Sequence, residues 1–130
     1  MGLNTKGLVT ELRNIVSVGA SLPLTSVVTP DLPAIGDNFI AITILGGSAL
    51  NNLCGVDNYN ITGRALIRGT TNDTTTRELA DKVYDCLHLA SNISFDSNKI
   101  IQIIAQIPTY VGKDNDLRNL YNITFRIKEK

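Results

Sequence analysis

The sequence predicts an α+β domain: a largely antiparallel or mixed sheet of four to five strands, with two helices packed on one face. Two segments space their apolar residues for a helix, and several others alternate for a strand. The order they give is α-β-β-β-α-β-β. Strands in runs, separated by single helices, point away from strict βαβ alternation. At 130 residues the chain is one domain, 1–130, with little room for a second core.

The first helix is expected from Thr5 to Gly19. Leu8, Leu12, Ile15 and Val16 share one face while Lys6, Glu11 and Arg13 take the other. Gly19, followed by Ser21 and Pro23, is read as its stop. From Ser21 to Asn38, Pro23, Pro30, Pro33 and Gly36 make an extended connection, with at most a short edge strand at Val27-Val28. A connection that long usually serves function or finds its partner outside the chain.

Phe39 to Leu45 alternates as a strand and is expected to end at Gly46-Gly47. A Gly/Asn-rich loop carrying Leu50, Leu53 and Val56 follows. Tyr59 to Gly69 alternates again, with Tyr59, Ile61, Ala65 and Ile67 inward and Asn60, Thr62, Arg64 and Arg68 outward. A second helix is read after Thr70–Thr76, capped by Thr75 with Glu78. Its buried stripe is Leu79, Ala80, Val83, Cys86, Leu87 and Ala90. Lys99 to Ile107 is apolar on both faces, which suggests a central strand ended by Pro108. Thr109 to Leu120 reads as a loop. In the last strand Tyr121, Ile123, Phe125 and Ile127 point in, and Asn122, Thr124, Arg126 and Lys128 point out.

Composition narrows the function. Twelve Lys+Arg balance twelve Asp+Glu, whereas affinity for nucleic acid rests mainly on a basic excess. No apolar run approaches the roughly 20 residues of a membrane helix. The N-terminus has no basic region leading into an apolar one, so a soluble protein without membrane contact is expected. Cys54 and Cys86 match no metal or redox spacing and are read as reduced, packed thiols.

The only histidine, His88, falls near a helix C-terminus, where the dipole favours it without catalysis. The KDNDLR stretch lacks the glycine and terminal glutamate of a calcium loop. Gly46-Gly47 precede no Lys-Ser/Thr, so they form no phosphate loop. No enzyme, cofactor or metal site is expected. Attention falls instead on two sets of residues. Gly112, Lys113, Asp114, Asp116 and Arg118, with Leu50 and Leu53 in the earlier loop, are candidate subunit-interface residues. Arg64, Arg68, Arg126 and Lys128 form a candidate sheet face, open either to solvent or toward a lumen or neighbouring subunit.

The arrangement of motifs resembles the bacteriophage tail terminator proteins, a group that includes proteins labelled phage minor capsid or minor tail proteins. The shared features are the helix ending in Gly19, the Pro-rich connection into a strand with Gly46-Gly47, and a strand ending Arg68-Gly69. After them come a helix with Ala80, Val83 and Leu87, the stretch Pro108-Thr109-Tyr110-Val111-Gly112-Lys113-Asp114, and Arg118 with Tyr121-Asn122-Ile123-Thr124-Phe125. The resemblance spans residues 8 to 128 and implies a structural virion protein at the head-tail junction, made in the host cytoplasm. It implies a ring, typically a hexamer, that caps the head-proximal end of the tail tube and stops its polymerisation. Its implied partners are itself, the tail tube protein and a head-completion or connector protein, with double-stranded DNA passing through without specific binding. A head completion protein of similar size is the alternative, and a small non-catalytic ligand-binding domain is a more distant one.

Overall fold

The structure, a computed structural model, describes residues 5–29, 31–33, 36–51, 57–88, 93–94 and 100–129. Helix α1 (Thr5–Ala20) leads through a single 3-10 turn (Leu24–Ser26) into β1 (Val27–Val28), β2 (Phe39–Asn51) and β3 (Asp57–Arg68). Helix α2 (Asp73–Leu87) follows, then β4 (Ile93–Ser94), β5 (Ile100–Ala105), β6 (Thr109–Lys113) and β7 (Asn119–Glu129). The sheet order is β1-β2-β3-β7-β5-β4, with β6 also on β7. Among the described residues only the β1–β2 pairing is parallel, so the sheet is mixed and the fold is α+β as expected.

Both helices cover one face of this sheet. Leu8, Leu12, Val16 and Ala20 of α1 are buried at four-residue intervals, against Leu79, Ala80, Val83 and Leu87 of α2. The sheet contributes Ile40 and Ile42, Ile61, Ala65 and Ile67, Ile103, and Tyr121, Ile123, Phe125 and Ile127. Each buried Leu or Val contributes about 1.5–3 kcal/mol, and α1 has no charge complementing its dipole at either end, so packing is what holds it.

Several expectations need correcting. Helix α1 ends at Ala20, not Gly19: Ser21 takes the left-handed conformation (φ 58) and Leu22 N–H reaches back to Ser17 O (3.1 Å). Gly19 serves close packing instead, because a Cβ there would overlap the side chain of Cys86 on α2. Arg13 is not a solvated residue; its Nε donates to Val27 O (2.6 Å) and its Nη2 to Leu24 O (3.2 Å), tying β1 to α1. The cap of α2 is Asn72, which accepts from Thr75 N–H (3.2 Å), not the Thr75–Glu78 pair.

The strand from Phe39 does not stop at Gly46-Gly47. Its register with β3 shifts between Ile44 and Gly46, and Gly46 takes φ 122, so the glycines make a bulge that lets pairing continue to Asn51↔Asp57. The expected loop from Thr109 contains β6, which pairs with the first half of β7, while β5 pairs with its second half. Residues 100–113 are therefore one bent arm along β7, interrupted beside Pro108. Strand β5 is not central, since its other neighbour is the two-residue β4; β3 and β7 hold the centre. Among the described residues seven strands join the sheet, those beyond the expected four to five being short or part of this arm.

Candidate assembly surfaces

The five-residue turn between β6 and β7 is built around Asp114. Its Oδ1 accepts from the N–H groups of Asp116 (3.0 Å) and Arg118 (2.8 Å), and Leu117 closes the turn at φ 63. Burial pushes the Asp114 carboxyl up. The Arg118 and Asp116 N–H groups and the Arg118 and Arg68 charges outweigh it and hold the carboxyl below the ordinary range.

Arg118 is buried and gathers three carboxylates: Nε to Asp37 Oδ1 (3.0 Å), Nη1 to Asp114 Oδ2 (3.2 Å) and Nη2 to Asp116 Oδ2 (3.2 Å). The candidate interface charges Asp114, Asp116 and Arg118 thus already pair within the chain. Asp37, which sequence reasoning missed, joins them from the Pro-rich connection; nothing in the local pattern around it signals a partner so distant.

Arg68 departs from its expected place on an outward face. It has the outward parity of β3 but is 5% exposed, because the Pro-rich connection folds over it. Its Nη1 donates to Pro33 O (2.6 Å) and its Nε to Gly36 O (3.0 Å). The guanidinium lies 5.7 Å from the centre of the Phe39 ring and 3.9 Å from Asp114 Oδ2. Among the described residues its Nη2 has no hydrogen-bond partner.

The rest of that sheet face has no helix over it. Arg64 stands across from Thr124, Thr62 from Arg126, and Lys128 from Gln102, with Ile104 beside Arg126. Arg126 and Lys128 are exposed; Arg64 is half-buried and, among the described residues, its Nε has no hydrogen-bond partner, as is true of Asn122 Oδ1. Thr62, Ile104, Gln106, Thr124, Arg126 and Lys128 line a groove of about 310 Å³. Among the described residues, Arg64, Arg126 and Lys128 form no ion pair.

The remaining predicted residues are spread out. Gly112 follows a second bulge, at φ 130, and Lys113 beside it is exposed. Leu50 lies in β2 with its side chain outside the described residues, and Leu53 and Cys54 lie outside them altogether. The β6 arm displays Ile107, Tyr110, Val111 and Leu117, each at least half exposed.

Where α2 begins, Tyr121 Oη donates to Asp73 Oδ1 (2.7 Å) and accepts from Arg77 Nε (3.3 Å). Burial and the bond to Asp73 push the Tyr121 hydroxyl up. Its Asp73–Arg77 partners are missed by sequence reading, which treats Tyr121 only as core. His88 stacks on Tyr84 and its Nδ1 accepts from Ala105 N–H (3.1 Å), pinning the end of α2 to β5. Cys86 is a free thiol pushed up to about 11 by burial. Among the described residues no group of three or more His, Cys, Asp or Glu is placed to hold a metal, and no helix is long and apolar enough to cross a membrane.

The architecture of two helices on one side of a mixed sheet has a counterpart among solved structures. The chain is similar in fold to one from a solved structure described as the virion of a native gene transfer agent (GTA) particle. The TM-score is 0.72 at 13% identity, over 93% of this chain and 90% of that one. No family model and no curated protein matches the chain.

Proposed function

We propose that the chain is a structural virion protein and, more specifically, a tail terminator. It assembles as a ring on the head-proximal end of a phage-like tail tube, halts tube growth and presents its other side to a head connector, while DNA passes through its lumen. The single observation that carries this reading is the fold likeness to a chain of the GTA virion, which extends over nearly the full length of both. The sequence motifs supply the finer role, and the bare sheet face and exposed β6 arm supply surfaces for neighbours. The role is assembly rather than catalysis. In this reading Arg118 and its carboxylates set the shape of the β6–β7 turn, and the turn meets a neighbour as a preformed unit.

Deleting the gene in a producing strain and imaging the particles separates the two connector roles. A terminator's loss gives tails of uncontrolled length that fail to join heads. Tails of normal length that fail to join would point to head completion instead, and unaltered particles would overturn both.

A further inference from the structure

We propose that the cationic sheet face of one copy (Arg64, Arg126, Lys128) seats the acidic outer stripe of α2 (Glu78, Asp81, Asp85) of a second copy. This rests on the ring reading and names the two surfaces that build the ring.

Three observations support it. Within a neutral chain, the helix-free face holds three cations that form no ion pair among the described residues, and Asp37, Asp114 and Asp116 are committed to Arg118 at its far end. On the opposite side of the molecule, Glu78, Asp81 and Asp85 are all exposed along the outward stripe of α2 and likewise form no ion pair among the described residues. Arg77, in α2's first half, is turned to Asp73 (3.3 Å) and Tyr121 while its charge also reaches Asp81; with Lys82 it still leaves the three-carboxylate stripe net negative.

The spacings also agree. Glu78 to Asp85 spans about 10 Å at 1.5 Å per residue. The cationic set runs from Lys128 to the level of Thr124, where Arg64 sits across the ladder, about 14 Å at 3.4 Å per residue. Because the two surfaces lie on opposite sides, the contact is heterologous, the kind that builds a ring when its rotation closes.

Native mass spectrometry of charge-reversed full-length chains tests this. Arg126→Glu with Lys128→Glu makes one variant, and Asp81→Lys with Asp85→Lys the other; all four residues are exposed, and circular dichroism checks that both fold. Each variant alone is expected to lose ring assembly, with the apparent dissociation constant raised about tenfold or more. An equimolar mixture is expected to regain rings in which the two variants alternate, so only even-numbered mixed species appear. Wild-type rings are expected to weaken between about 0.1 M and 1 M salt, as the screening length falls from about 10 Å to 3 Å.

Rings of unchanged mass and stability in both variants would overturn this interface while leaving the ring reading intact. Loss of rings without recovery on mixing would also overturn it, pointing to another occupant of the sheet face, duplex DNA included. A wild-type chain that stays monomeric at every concentration and with tail tube protein present would remove the ring reading itself.

Discussion

Replacing Arg68 with methionine isolates what a buried guanidinium does for this fold. Methionine keeps most of the apolar stem but removes the donors to Pro33 O and Gly36 O and the charge over the Phe39 ring. Two hydrogen bonds from a charged donor are worth about 3–6 kcal/mol together, and the ring contact adds about 0.5–1 kcal/mol. Against this, the variant no longer buries a cation whose Nη2 is unpartnered, a relief of about 1–3 kcal/mol. Taken at the middle of each range, the net loss is about 3 kcal/mol. For a chain of this length that lowers Tm by about 6–15 °C. Urea and thermal unfolding measure it, and proteolysis across residues 30–38 should quicken at the same time, because those carbonyls lose their anchor. Arg68→Lys retains charge but cannot span both carbonyls with a planar fork, so about half the loss should remain. An Arg68→Met protein within about 0.5 kcal/mol of the parent, with unchanged proteolysis, would refute the anchoring role.

Leu12→Ala, in the buried stripe of α1, should cost about 2–5 kcal/mol in urea unfolding. Gly19→Ala should cost about 1–3 kcal/mol, because the new methyl meets Cys86; combining it with Cys86→Ala should recover part of that in a double-mutant cycle. With its thiol raised to about 11, Cys86 should be alkylated at pH 8 about a hundredfold more slowly than an ordinary cysteine, read by peptide mass spectrometry. The Asp114 carboxyl sits lower in the folded chain than its ordinary value near 3.9. Its contribution is therefore complete above that value and is lost as pH falls through the folded one, so Asp114→Asn should flatten the acid limb of stability below about pH 4.

Elements that bury a periodic stripe were legible in the sequence; elements that exist because of a distant partner were not. Leu8, Leu12 and Val16 mark α1 directly, and the alternation of Tyr121 to Lys128 marks β7 and its two faces. Strand β6 has no such mark. Four of its five residues are exposed, and only the ladder to β7 makes it a strand. Gly46-Gly47 carried a real signal with two readings, since glycine at positive φ serves a bulge as well as a stop. For Arg68, parity gave the correct face but could not say what lies over it. Its acceptors are 32 and 35 residues away in the chain. The candidate interface charges behaved the same way: their sequence proximity was visible, and their convergence with Asp37 on one guanidinium was not.

The zero net charge set aside a DNA-binding role, but a sum says nothing about distribution. Arg118 with Asp37, Asp114 and Asp116, and Arg77 with Asp73 and Tyr121, settle much of the charge inside the chain. Of what is left, Arg64, Arg126 and Lys128 lie on the bare sheet face, and Glu78, Asp81 and Asp85, with Lys82 among them, lie on the outer side of α2. Two copies meeting sheet to sheet about a two-fold axis would set cation against cation. Each such pair at 4 Å costs about 1 kcal/mol in bulk water and about 4 kcal/mol at the effective dielectric of a protein surface. Helix to helix, the carboxylates repel in the same way. Only a head-to-tail meeting sets opposite signs against each other, and a repeated head-to-tail step generates a ring when its rotation closes. The charge layout therefore disfavours a symmetric dimer through either face and favours the head-to-tail contact we propose.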